Sequence, residues 1–228
     1  MSELGTVIVT GGASGLGAAI AHGVEEHGGT PVVFDINQPS NGFEFEPVDL
    51  ARAREAEVAV RRVADRHGGL DAVVTAAGID ACGRIDDVDP EQWDRVVAVN
   101  LIGTAAMARA ALPYLEQSGG RIVTVASTLG LRALSDATAY CASKFGVVGL
   151  SRALAVELGG RVGVTCLIPG GMQTAFFDGR DEQYKPGPDA HLAPPEQVAE
   201  TVLFALTRPN GTEVRELIVT PSTEPSWP

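Results

Sequence analysis

The reading of Thr6 to Asp35, TVIVTGGASGLGAAIAHGVEEHGGTPVVFD, decides the fold. It begins with five residues rich in β-branched side chains, of which Val7, Ile8 and Val9 are continuously apolar. Such a run reads as a strand covered on both faces rather than one with a wet face. A glycine-rich turn follows, then a helical pattern near 15–27, then a second apolar run, PVVFD at 31–35. Strand, helix and strand in that order form a right-handed crossover between parallel neighbours.

Moving outward, the alternation continues to the end of the chain. DAVVTA at 71–76, RIVTVA at 121–126, VGVTCLI at 162–168 and VRELIV at 214–219 read as strands. Helical stretches lie near 51–67, 90–116, 138–158 and 195–207. The class is α/β: one Rossmann-type domain over 1–228, with a doubly wound, mostly parallel, seven-stranded sheet and helices on both faces. The seventh strand is FEFEP at 43–47, separated from the second only by INQPSNG. Parallel neighbours normally need a crossover of about a dozen residues. We therefore expect a connection without a helix, and a short third strand at the sheet edge. The ending at 221–228, PSTEPSWP, reads as an irregular tail whose Trp227 docks on a neighbouring surface.

The glycine-rich turn, TGGASGLG, lets the backbone approach a phosphate closely, and the helix after it offers free N–H groups to the anion. By itself such a turn also serves as a plain tight turn. Asp35 adds weight, because an acid at the end of the second strand can accept both ribose hydroxyls of an adenosine. DINQPS has no Arg or Lys to balance a 2′-phosphate, so NAD is favoured over NADP.

Ser127 follows the strand RIVTVA, and Tyr140 and Lys144 open the next helical run. At i and i+4 the phenol and the ammonium share a helix face. Alone, the pair reads equally as a surface pair. Beside the serine and the nucleotide turn it reads as a proton-transfer group, with the lysine's charge lowering the phenol's pKa.

Together, TGGASGLG, Asp35, AVNLIGT with Asn100, Ser127 and YCASK resemble the short-chain dehydrogenase/reductase family over essentially the whole chain. The resemblance implies an NAD-dependent oxidoreductase interconverting a secondary alcohol and a ketone. Its catalytic group would be Asn100, Ser127, Tyr140 and Lys144, with Asn100 supporting a water relay to Lys144. It implies cofactor contacts from Gly11, Ala13, Ser14, Gly15, Leu16 and Gly17 in the turn, and from Asp35 and Ile36 after the second strand. Further contacts would come from Asp49, Leu50, Ala76, Ala77, Gly78, Tyr140, Lys144, Pro169, Gly170, Met172 and Thr174, with Ile168 beside them. Asp49 has a second reading as the N-cap of the helix beginning near Ala51. TAAG, Thr75 to Gly78, departs from the family's Asn-Asn-Ala-Gly and puts a strand-stabilising hydrogen bond in doubt. The alternative from another class is a non-catalytic NAD(H)-sensing regulator on the same fold.

Three loops, 79–87, 128–137 and 171–194, should face the nicotinamide, the last as a substrate lid. They bring Leu129, Leu134, Met172, Phe176 and Phe177 to a substrate pocket, with Leu131, Tyr184 and Leu192 near it. An apolar pocket suits a hydrophobic or cyclic alcohol or ketone. The runs at 90–116 and 138–158 carry more small and apolar residues than a solvated helix needs, and the resemblance implies that they pair subunits into a homodimer or homotetramer; the alternative is a monomer in which they meet only the sheet.

A net charge of −12 argues against nucleic acid and anionic membranes as partners. No apolar run is read as reaching the eighteen or so residues that span a membrane. Cys82, Cys141 and Cys166 match neither a disulfide framework nor a metal-ligand spacing. With an opening, MSELGTVIVTGG, that lacks a basic flank and a cleavage site, the expected compartment is the cytoplasm. No G-x-S-x-G elbow is present, and His22, His27, His67 and His191 fit neither a triad nor a zinc site, so a hydrolase and a metal mechanism are disfavoured.

Overall fold

Side chains alternate across the strands and bury both faces of a central sheet. Ile8, Val32, Phe34, Val73 and Ile122 point into one core layer, while Val7, Val9, Val33, Val74 and Val123 point into the other. Each such aliphatic side chain withdrawn from water contributes about 1.5–3 kcal/mol. The computed structural model describes residues 4–40 and 42–224; Trp227 and the end of the tail lie outside the described residues.

The strands are β1 (Thr6–Thr10), β2 (Thr30–Asp35), β3 (Glu44–Pro47), β4 (Ala72–Thr75), β5 (Arg121–Val125), β6 (Gly163–Pro169) and β7 (Glu216–Val219). They form one seven-stranded sheet in the order β3-β2-β1-β4-β5-β6-β7, with every pairing parallel. The expected edge position and helix-free approach of the third strand are both found. β3 packs Phe45 on the core. Its two glutamates pair outward with α2 (Ala53–His67), where Glu46 meets Arg62 and Arg66, and Glu44 meets Arg66 and His67.

The remaining helices are α1 (Gly15–Glu26), α3 (Pro90–Val97), α4 (Thr104–Ser118), α5 (Thr138–Leu158) and α6 (Pro195–Leu206). α1 and α6 cover one face; α2, α4 and the end of α5 cover the other. The helix expected over 90–116 is interrupted by a wider π-type turn at Ala98–Gly103. Together these segments make one helical stretch, Pro90–Ser118, of 29 residues, long and apolar enough by composition to cross a membrane. That corrects the sequence expectation. The stretch is a core helix here: Met107, Ala111 and Leu115 are fully buried against α2 and the sheet.

Candidate active site

Because every strand runs the same way, the strand ends that carry Gly11, Asp35, Ala76, Ser127 and Gly170 meet at one rim. The strand order reverses direction between β1 and β4, which opens a crevice there. Gly11 turns the chain out of β1 at φ 70°, and a Cβ on it would sit 2.7 Å from the Ala77 backbone. A Cβ on Gly17 would sit 2.2 Å from the Gly11 carbonyl oxygen, so only glycine lets the helix pack onto the turn. Ser14 precedes α1 in an extended conformation with no side-chain cap, and the first N–H groups of the helix have no intrahelical partner. This cradle fits a diphosphate.

Asp35 ties the crevice together. One carboxylate oxygen accepts from Ala13 N at 3.1 Å and the other from Asn37 N at 2.9 Å. Ile36 beside it is exposed. Asp49 is not the N-cap of α2, which begins four residues later. Its side chain accepts from Ala51 N at 3.0 Å and pairs with Arg95 at 3.2 Å, fixing the turn before the helix. Leu50 is buried in the core beneath this turn. In TAAG, Ala77 N donates to the Thr10 hydroxyl at 3.1 Å, while the buried Thr75 hydroxyl has no partner among the described residues.

Asn100 lies inside the π-type turn. Its side chain donates to Ile79 O at 2.9 Å and accepts from Ile79 N at 2.9 Å, and it also donates to the Ser143 hydroxyl at 3.0 Å. Its own carbonyl accepts from Thr104 Oγ1 at 2.8 Å. These bonds lock the loop after Gly78 to α5 and account for the interrupted helix. Asn100 does not bond Lys144 directly; a Cβ on Gly78 would lie 3.5 Å from Lys144 Nζ and 3.6 Å from Asn100 Oδ1, which places both groups around that glycine.

Ser127 follows β5, and its hydroxyl accepts from Leu129 N at 3.1 Å and favours the charged form of the Tyr140 phenol. Lys144 is almost wholly buried, donates to Val125 O at 2.8 Å, and lies 5.5 Å from the Tyr140 ring centre. Burial holds its ammonium down to about 8. The expected lowering of the phenol is not what this geometry produces. Burial foremost pushes Tyr140 up to about 12, against the Ser127 hydroxyl, which favours the phenolate; Asp80 adds to the rise and Arg180 opposes it. The constellation therefore offers a neutral phenol as proton donor, a hydroxyl that can share its target oxygen, and an ammonium that titrates near neutrality.

The 171–194 segment folds over this rim in two short turns, Ala175–Phe177 and Glu182–Tyr184. Its ends are tied by a bridge between Met172 and Ala193, and Met172 packs against the core below. The Thr174 methyl lies against Gly15, where a Cβ would be 3.2 Å away. Ile168 is fully buried in the core, so its side chain does not face the crevice. Phe176 lies 5.7 Å from Tyr140, ring to ring, and 5.5 Å from Phe177.

A cavity of about 590 Å³ opens beside Phe176, lined also by Ile79, Asp80, Cys82, Gln92, Arg95, Arg180 and Tyr184. Leu129, Leu134, Met172 and Phe177 do not line it, and Leu134 is 61% exposed. Its wall is thus more polar than expected from the apolar side chains of the loops. Asp80 and Arg180, and Glu224, which accepts from Gly171 N at 2.8 Å, had no signal in the sequence: each is an isolated charge whose partner is far along the chain.

The family model for short chain dehydrogenase matches residues 5–185. An uncharacterized oxidoreductase of Staphylococcus aureus is 33% identical over 226 residues, covering 94% of this chain and 96% of that protein. A D-beta-hydroxybutyrate dehydrogenase of Rhizobium meliloti is 34% identical over 189 residues, or 76% of this chain and 73% of that protein. The solved alcohol dehydrogenase of the archaeon Thermococcus sibiricus, complexed with 5-hydroxy-NADP, aligns with a TM-score of 0.83 at 25% identity, covering 95% of this chain and 96% of its own. The matched span holds the glycine cradle, Asp35, Asn100, Ser127, Tyr140 and Lys144 in one rim, and the chain belongs to the short-chain dehydrogenase/reductase family of oxidoreductases.

Proposed function

We propose that this oxidoreductase interconverts a secondary alcohol and a ketone using NAD(H), with Tyr140 exchanging the proton of the substrate hydroxyl. The observation that carries the reading is the buried Lys144 ammonium 5.5 Å from the Tyr140 ring centre, one helical turn away, with the Ser127 hydroxyl acting on the same phenol. When bound, the nicotinamide supplies the hydride acceptor or donor. Gly11 to Gly17 would hold its diphosphate, Lys144 its neighbouring ribose, and Pro169 to Thr174 the ring end. Ser127 and Tyr140 would grip the substrate oxygen, and the phenol would give up its proton as that oxygen gains charge. Asp35 makes no ion pair among the described residues, and its carboxylate would repel a 2′-phosphate, which supports NAD over NADP.

The cavity mixes Ile79, Ala175 and Phe176 with Asp80, Gln92 and Arg180, which supports a small substrate with an apolar body and a polar end. A relative named for a hydroxybutyrate points the same way. We further propose a cytoplasmic homodimer or homotetramer. Free Cys82, Cys141 and Cys166 support the compartment, and the exposed Ile102, Phe145 and Val156 support the assembly. The test is absorbance at the reduced-nicotinamide band, with purified protein, either cofactor, and a panel of secondary alcohols and ketones including hydroxy and keto acids. Turnover with NADH and any ketone supports the proposal; binding of NADH without turnover across the panel counts against it.

A further inference from the structure

Two side chains a hundred residues apart form the most enclosed ion pair near the site. Arg180 Nη2 meets Asp80 Oδ2 at 2.8 Å, with side chains 18% and 7% exposed. Asp80 is held from its own loop, accepting from Ala81 N at 2.7 Å and from the Cys82 thiol at 3.3 Å. Arg180 is held from its own segment, donating to Tyr184 O at 3.3 Å, and its guanidinium lies 4.8 and 4.7 Å from the ring centres of Phe176 and Phe177. Phe176 in turn packs on Tyr140. The contacts run without a gap from Asp80 through Arg180 and Phe176 to the phenol.

We propose that Asp80 and Arg180 are positioning residues that clasp the 171–194 segment over the crevice and hold Phe176 against Tyr140. This rests on Tyr140 as the proton-exchanging group. A pair this enclosed is costly to break from one side, because the remaining charge is left buried without a partner. The two phenylalanines make arginine the fitting cation: its guanidinium lies against both rings while one nitrogen reaches the carboxylate. The two charges also act on the phenol with opposite signs, Asp80 disfavouring the phenolate and Arg180 favouring it. In the closed arrangement they offset one another. The groups around the phenol and the clasp are Asp80 and Cys82 from the loop after β4, Arg180, Asp181 and Tyr184 from the segment, Cys141 and Lys144 from α5, and the Ser127 hydroxyl.

The test compares Asp80→Asn, Arg180→Met, Arg180→Lys and the Asp80→Asn/Arg180→Met double variant in the full chain. Backbone amide exchange over 175–184 reads the clasp without turnover, and the pH profile of ketone reduction, whose alkaline limb marks loss of the phenol's proton, reads the phenol. Loss of either charge should speed exchange and lower kcat/KM about tenfold, mainly through KM. Arg180→Lys should restore part of the slow exchange, showing that the other variants have not merely misfolded. The alkaline limb should move to lower pH in Asp80→Asn, to higher pH in Arg180→Met, and return towards wild type in the double variant. Asp80 also holds the Lys144 ammonium up, so Asp80→Asn moves that titration to lower pH, in the same direction as the phenol. Unchanged exchange in both single variants, or limbs that move in the same direction, overturns the proposal. Full turnover by Tyr140→Phe would instead overturn the proton-exchange role, while the exchange data still decide the clasp.

Discussion

Lys144→Met should change how stability depends on pH, and the structure gives both sign and size. In the folded chain burial holds Lys144 down to about 8, against 10.5 in the open. Below about 8 both states carry the proton and the fold bears the burial of the charge. Between about 8 and 10.5 Lys144 binds more protons in the unfolded chain than in the folded one, so its contribution to wild-type stability rises with pH through that window and levels off above it. The shift corresponds to about 3 kcal/mol. The loss of the Lys144–Val125 hydrogen bond in the variant is independent of pH until the lysine titrates and only offsets the baseline. Urea unfolding of both proteins at steps from pH 7 to 10.5, followed by circular dichroism, measures the difference. The difference is the required quantity, since Cys82, pushed up to about 11, makes both proteins lose stability above pH 9. Wild type should gain about 3 kcal/mol on Lys144→Met across the window. Parallel curves would refute the reasoning, because they would mean that the ammonium is solvated in the native state.

Four further outcomes follow from the geometry. Tyr140→Phe should lower turnover at least about 100-fold while NADH binding, read by fluorescence, stays close to wild type. Asp35→Asn should raise affinity for NADPH relative to NADH by about tenfold, and equal wild-type affinity for the two cofactors would sink the argument from that carboxylate. Gly17→Ala, a change that stabilises most helices, should here cost about 1–3 kcal/mol in thermal unfolding and weaken cofactor binding, because the new Cβ would meet the Gly11 oxygen at 2.2 Å. Phe145→Asp should shift the mass measured by light scattering towards the monomer; a wild-type monomer would show that this exposed ring has another role.

Local chemistry made much of the fold legible. Continuous β-branched runs such as Val7 to Val9 and Val73 to Val74 demand cover on both faces, and helical patterns between them leave only a parallel, doubly wound sheet. The third strand could be placed at the edge from chain length alone, because seven residues cannot carry a crossover helix. The helical stretch near 90–116 is found as expected, but its π-type turn at Ala98–Gly103 had no signal, because Asn100 there serves Ile79 and Ser143, contacts made in space rather than along the chain.

The site divides the same way. The glycine turn, Asp35, Ser127, Tyr140 and Lys144 are named by spacing, since a turn, a strand end and one helix face are local objects. Their protonation is not local. The sign of the Tyr140 shift depends on how much water reaches the phenol, and Lys144 could only be assigned its near-neutral titration once Val125 and the walls around it were in place. The Asp80–Arg180 pair is the extreme case. The sequence by itself determines which groups the rim carries, because strand order and turn chemistry deliver them there. Only the tertiary structure decides their charge and which segment closes over them, because burial and ion pairing are set by neighbours that the chain brings together from a distance.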